Sequence, residues 1–218
     1  MDKILTVTNL EKSFHTREGE IKALDSISFD VSDKEFISIV GPSGCGKSTI
    51  LSILAGLEEK SNGEISFSKD YTIGYMLQND SLFEWRTVLE NCLLGLEVTK
   101  KLTKENKDYV IYLLKTYGLG EFMDEYPSRL SGGMRQRVAL IRTLATKPDI
   151  LLLDEAMSAL DYQSRLAISD DIYKIIKKEG KTAIMVTHDI AEAISLISMT
   201  INTSYFIRCF HYIKYYKK

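Results

Sequence analysis

Apolar and polar positions alternate through Ile4 to Leu10 and again through Ile27 to Val31, the period of two that marks half-buried strands. Arg17, Glu18 and Gly19 between them predict a polar turn. Phe36 to Val40 is a short apolar run ending in glycine, and Lys47 to Leu57 reads as a helix. Ile65 to Phe67 and Ile73 to Tyr75 predict two more short strands. From Thr87 to Ala145 the spacing turns helical, with breaks at Gly118, Gly120 and Pro127. Ile150 to Leu153 is wholly apolar, as in a parallel strand buried on both faces. Tyr162 to Lys178 predicts a helix, Thr182 to Val186 a strand, and Ile190 to Ile197 the start of another helix. Strand–helix alternation carrying a helical insert at about 80–145 predicts an α/β fold with a mostly parallel sheet. The N-terminal β segments are expected to form a separate antiparallel layer.

Composition narrows this. The 218 residues suit one large α/β domain or a core with an inserted subdomain, and 44% apolar residues supply a sizeable core. A formal net charge of −2 gives no basic field for nucleic acid. Cys45, Cys92 and Cys209 match no metal or disulfide spacing, which favours a reducing cytosol. The start, Met1-Asp2-Lys3-Ile4, lacks a signal-peptide layout, and no run approaches the roughly 20 apolar residues that span a bilayer. A membrane role therefore requires a partner.

The chemistry begins at Gly41-Pro42-Ser43-Gly44-Cys45-Gly46-Lys47-Ser48-Thr49, a glycine loop after a predicted strand that opens a predicted helix. Glycines let successive N–H groups curl around an anion, and the helix N-terminus adds its positive dipole end. Lys47 suits the β- and γ-phosphates of a nucleotide, and Ser48 a magnesium ion. Ile150 to Leu153 ends in Asp154 and Glu155, and ligands of open α/β sheets sit beyond such strand ends. Asp154 suits magnesium through water, and Glu155 suits polarising an attacking water. An acidic pair capping the next helix is the plainer alternative.

Many nucleotide hydrolases share those two elements, so the deciding segment is Leu130-Ser131-Gly132-Gly133-Met134-Arg135-Gln136-Arg137. Taken alone it is a well-capped helix start, with Ser131 as N-cap and Met134, Val138, Ile141 and Ala145 on one apolar face. Its sequence and its place before the acidic strand resemble the signature of ABC transporter nucleotide-binding domains. Gln78 after Tyr75-Met76-Leu77 resembles that family's Q-loop glutamine, Ser158-Ala159-Leu160-Asp161 its D-loop, and His188 its switch histidine. The resemblance runs from about Leu5 to Leu196. Leu82-Phe83-Glu84-Trp85-Arg86-Thr87-Val88-Leu89-Glu90-Asn91 is similar to a segment of the nitrate, sulfonate and taurine importers.

That resemblance implies a P-loop (RecA-like) ATPase core, with ATP and Mg2+ as cofactors. It implies a head-to-tail homodimer in which Ser131, Gly132 and Gly133 meet the γ-phosphate of ATP held by the opposite chain. Gln78 would lie at both the nucleotide and its metal, His188 at the γ-phosphate, and Asp161 across the interface. Phe14 is the nearest aromatic for stacking adenine, with a core or surface role as its alternative. Permease subunits in the membrane, and indirectly a solute-binding protein, are the implied partners, at the cytoplasmic face. Nucleic acid is not. Two other classes compete: a nucleotide-binding remnant with impaired dimerisation or coupling, and a non-transport ABC ATPase, whose long coiled-coil arms find no heptad run here.

The expected domain spans 1–198, followed by an atypical tail at 199–218. The last twenty residues hold six aromatics, four lysines or arginines and no acid. A shifted reading frame or premature end is the expectation for this tail. Completion of the sheet by Ile201 to Ile207 is the structural alternative, and contact with a membrane surface or nucleic acid a further one.

Overall fold

A computed structural model describes residues 2–17, 19–155, 162–189 and 206–208. The chain divides into two compact units, Met1–Tyr71 with Thr182–Lys218, and Thr72–Lys181.

In the first unit, β1 (Lys3–Thr16) lies between β2 (Gly19–Ser32) and β4 (Asn62–Phe67) in an antiparallel sheet. Leu5, Val7 and Leu10 of β1 and Leu24 and Val31 of β2 are buried. Both strands run further than Ile4–Leu10 and Ile27–Val31. Register shifts between Val7 and Leu10 and between Leu10 and Ser13 break the period of two, and residues 13–22 are largely exposed. A solvated hairpin arm needs no apolar alternation, so pattern alone stops short of it.

The same unit carries β3 (Phe36–Val40) beside β7 (Thr182–Thr187), parallel from Phe36 opposite Ala183 to Val40 opposite Thr187. Every residue of both strands is buried, which accounts for their unbroken apolar runs. On the other side of β3, β8 (Phe206–Arg208) runs parallel, with Ser38 opposite Phe206 and Val40 opposite Arg208. Phe206 and Ile207 belong to the stretch of the sheet-completion alternative, and its residues 201–205 lie outside the described residues. The helix expected at Ile190–Ile197 lies outside the described residues. Helix α1 (Lys47–Leu54) ends earlier than Leu57, because Gly56 turns the chain at φ 71° while Leu57 N–H bonds back to the Ser52 carbonyl at 2.9 Å.

In the second unit, β5 (Ile73–Met76) and β6 (Ile150–Asp154) form a parallel ladder, Ile73 opposite Ile150 through Met76 opposite Leu153. The long helical stretch of the sequence resolves into α2 (Val88–Val98), α3 (Lys104–Thr116) and α4 (Gly132–Ala145). Thr87 caps α2 in a reciprocal box with Glu90, Thr103 caps α3, and Ser131 caps α4. Helix α4 is the hub: Val138, Ala139, Leu140, Ile141, Leu144 and Ala145 are fully buried. Helix α5 (Tyr162–Lys178) packs on it, joined by an Arg137–Asp171 ion pair.

Candidate functional site

The glycine loop leaves β3 at Gly41, whose N–H bonds to the Thr187 carbonyl at 3.3 Å. With Val40 opposite Thr187, the loop's first residue and His188 leave the same end of the β3–β7 ladder. His188 is exposed there, and the Asp189 N–H bonds to the Thr187 hydroxyl at 3.0 Å. Within the loop Lys47 is buried, its ammonium donating to the carbonyls of Gly41 and Pro42 at 2.9 Å each and lying 4.0 Å from Cys45 Sγ. Backbone oxygens thus compensate a charge held out of water. Ser43 and Ser48 face solvent.

Gly46 is the residue this loop cannot exchange. It sits at φ 90° immediately before α1, and a Cβ there would come within 2.5 Å of the Ala23 carbonyl oxygen. Strand β2 therefore runs tightly behind the loop. No side chain caps α1 at Gly46, unlike α2, α3 and α4, whose caps are Thr87, Thr103 and Ser131. A helix start with a positive dipole end and no side-chain cap is built to take an anion. Phe14 lies on β1 opposite Ile21, two residues before Ala23, and is partly exposed; the Lys12 ammonium stands 4.8 Å from its ring centre.

In the second unit Gln78 and Glu155 leave the same end of the β5–β6 ladder, both short of a helix. Asp154 is buried and its carboxylate accepts from the Tyr75 hydroxyl at 3.0 Å. Tyr75 pairs with Leu152, so its side chain shares a sheet face with Asp154 two residues on. Sequence reasoning passed over Tyr75; a polar ring one strand over from an acid is the signal that finds it. Glu155 is held at φ 41°, a conformation that a residue with a Cβ rarely adopts. Strain of this kind costs of order 1–3 kcal/mol and clusters where function needs it.

Ser131 and Gly132 are exposed at the start of α4, and the Ser131 hydroxyl accepts from Met134 N–H at 3.3 Å. Gly133 has a packing duty as well: a Cβ there would meet Ile168 Cδ1 of α5 at 2.5 Å. The segment from Leu82 to Thr87 wraps around Asn91, a fully buried side chain. Its amide donates to the carbonyls of Phe83, Arg86 and Thr87 at 3.0 Å each and accepts from Phe83 N–H at 2.8 Å. This leaves Trp85 74% exposed, its ring stacked on Phe83 at 4.8 Å. Asp161 and the rest of the D-loop lie outside the described residues.

A glycine loop between a parallel strand and an anion-ready helix, with acids ending another parallel strand, is the layout of a P-loop ATPase. The family described as "ABC transporter" matches residues 24–158. The chain is 46% identical over 198 residues to the uncharacterized ABC transporter ATP-binding protein YtlC of Bacillus subtilis strain 168, covering 88% of this chain and 76% of that one. It is 39% identical to the taurine import ATP-binding protein TauB of Roseobacter denitrificans, covering 88% and 74%. Among solved structures it is similar to the dimeric bacterial ABC transporter cassette MJ0796, at 33% identity and a TM-score of 0.73, covering 88% and 91%. A post-hydrolysis dimer of that cassette bound to ADP and Pi gives a TM-score of 0.72. The chain belongs to the ABC transporter family, as an ATP-binding, ATP-hydrolysing transporter subunit. Among the described residues no helix is long and apolar enough to cross a membrane.

Proposed function

We propose that this chain drives an importer of a small solute such as nitrate, a sulfonate or taurine, hydrolysing ATP in a head-to-tail dimer beneath membrane-embedded permease subunits. The observation that carries the ATP-driven part of the reading is the uncapped start of α1 with the buried Lys47 ammonium inside its loop. In this reading Gly41, Pro42, Ser43, Gly44, Cys45, Gly46, Lys47, Ser48 and Thr49 cradle the phosphates. Lys47 neutralises the charge that builds up on the γ-phosphate. Ser48, Asp154 and Gln78 would hold Mg2+, Ser48 by its hydroxyl and Asp154 through water, and the ion would offset phosphate charge.

Glu155 orients and polarises the attacking water, and its unusual backbone angle fixes where that carboxylate points. His188 contacts the γ-phosphate beside Gly41. Ser131, Gly132 and Gly133 of the second copy close the site, with Asp161 spanning the interface. Phe14 stacks on adenine. Such an arrangement closes with ATP and opens after hydrolysis, and the permease turns that motion into alternating access. The exposed Trp85, stacked on the half-buried Phe83, supports permease docking at this segment.

The test compares ATP hydrolysis by the purified chain with a Glu155→Gln variant. The variant is expected to lose roughly 100- to 1,000-fold in kcat. It should also accumulate as an ATP-dependent dimer in light scattering. Equal turnover in both proteins would remove Glu155 from the chemistry.

A further inference from the structure

Beyond the phosphate loop, a charged cluster joins the segment after Gln78 to helix α4. Arg135 lays its guanidinium along Asp80 in two bonds, Nε to Oδ2 at 2.7 Å and Nη2 to Oδ1 at 3.0 Å. The same Nη2 reaches Glu84 Oε1 at 2.8 Å. Two turns further along that face, Arg142 donates to the backbone carbonyls of Asp80 at 2.6 Å and Ser81 at 2.7 Å. Asp80 also accepts from Leu82 N–H at 3.1 Å, and Ser81 is held at φ 48°. A strained turn is thus fastened to one helix by two arginines.

The fastening reaches both ends of the proposed machinery. The Arg135 backbone N–H bonds to the Ser131 carbonyl at 2.9 Å, so the guanidinium is anchored one helical turn from the signature serine. On the other side Glu84 precedes the exposed Trp85, and Asp80 follows Gln78 by two residues. The two arms differ in solvation: the Asp80 side chain is 19% exposed and the Glu84 side chain 54%. A fork-shaped, partly buried guanidinium–carboxylate pair holds geometry far better than an exposed one.

We propose that Arg135 is a positioning residue for hydrolysis: through Asp80 it sets the place of Ser131 relative to the Gln78–Trp85 segment, with Glu84 as the weaker, exchangeable arm. This rests on the proposed role of Ser131 at the γ-phosphate of the opposite chain. Arg135 itself touches neither nucleotide nor water in that scheme. Its loss should slow turnover and leave nucleotide capture by the phosphate loop intact.

The experiment uses the full chain and four variants, Arg135→Met, Arg135→Lys, Asp80→Asn and the Arg135→Met/Asp80→Asn double. An Arg86→Met control breaks the Arg86–Glu97 pair of similar exposure in the same unit. Each is measured for kcat, for affinity toward mant-ATP, and for melting temperature. Arg135→Met and Asp80→Asn should each lose about tenfold in kcat while mant-ATP affinity stays within about twofold. The double variant should lose no more than either single, because the two side chains act as one unit. Arg135→Lys keeps the charge without the fork and should fall between, which retains a readout if Arg135→Met folds poorly.

Additive losses, a kcat drop no larger than that of Arg86→Met, or parallel losses of kcat and mant-ATP affinity would each overturn the proposal. Wild-type protein that hydrolyses no ATP defeats the catalytic reading and this inference with it. Active wild type with an unimpaired Arg135→Met defeats the inference alone.

Discussion

Two helix starts face phosphate in the proposed mechanism, and they are built in opposite ways. Helix α1 begins at Gly46 with no side-chain cap, in a left-handed turn that β2 backs at close range. Helix α4 begins at Ser131, whose hydroxyl caps it, and its first turn is oriented by carboxylates some fifty residues earlier. The first start is a fixed cradle made of backbone, needing only local sequence and one neighbouring strand. The second is tied to a side-chain network that reaches Glu84, the neighbour of Trp85. In the proposed cycle the first start would hold ATP and the second would complete the site on closure.

That contrast breaks most sharply at Gly46. Gly46→Ala combines a disfavoured φ with overlap on a backbone oxygen that cannot rotate away, and should cost about 3 kcal/mol or more along with ATP-analogue binding. Gly44→Ala is the internal comparison: φ is 79° but nothing lies within 4 Å, so only strain of about 1 kcal/mol is expected. Melting curves and mant-ATP titrations of the pair decide the matter. Equal effects would mean that β2 does not brace the loop.

A smaller change is expected at the signature. Gly133→Ala meets the movable end of Ile168, a contact that can partly relax, and should cost about 1–2 kcal/mol. Adding Ile168→Val removes the offending Cδ1 and should recover most of the melting temperature. If the double variant melts no higher than Gly133→Ala, the glycine serves the phosphate and not the packing.

The smallest effect is the pH dependence of the Asp80 fork. Burial pushes Asp80 upward, but hydrogen bonds from Arg135 and the Leu82 N–H, with the Arg142 charge behind them, hold its carboxyl below the usual range. A group depressed in the folded state stabilises fully above its unfolded value, about 3.9, and that stability drains as pH falls through the folded value. Partial exposure limits it to about 1 kcal/mol. Wild type should therefore out-melt Asp80→Asn by a constant margin at neutral pH, the gap closing below about pH 4. A gap unchanged down to pH 3 would show that Asp80 contributes shape and not charge.

Much of the proposed site is legible in the sequence because its parts are local. The loop from Gly41 to Thr49 and the acids at Asp154 and Glu155 need only a strand and a turn to become chemical groups, and alternation or apolar runs located those strands. The hairpin arm of β1 and β2 was not legible, since solvated backbone pairing leaves no apolar period. The hydrogen-bond partners of Tyr75, Asp80, Arg135 and Asn91 were likewise not legible. Each reads as an ordinary strand, loop or helix residue until folding supplies its partner.

The sequence by itself determined which chemical groups exist and the order in which they occur: an anion loop, paired acids, a glycine-led helix start and a histidine after a strand. Their types are set by covalent structure and short-range backbone geometry. Tertiary structure alone decided where those groups point. It put Ala23 behind Gly46, the Tyr75 hydroxyl on Asp154, Ile168 against Gly133, and Asp80 in the fork of Arg135. Contacts between residues tens of positions apart depend on register and packing, and no local pattern encodes those.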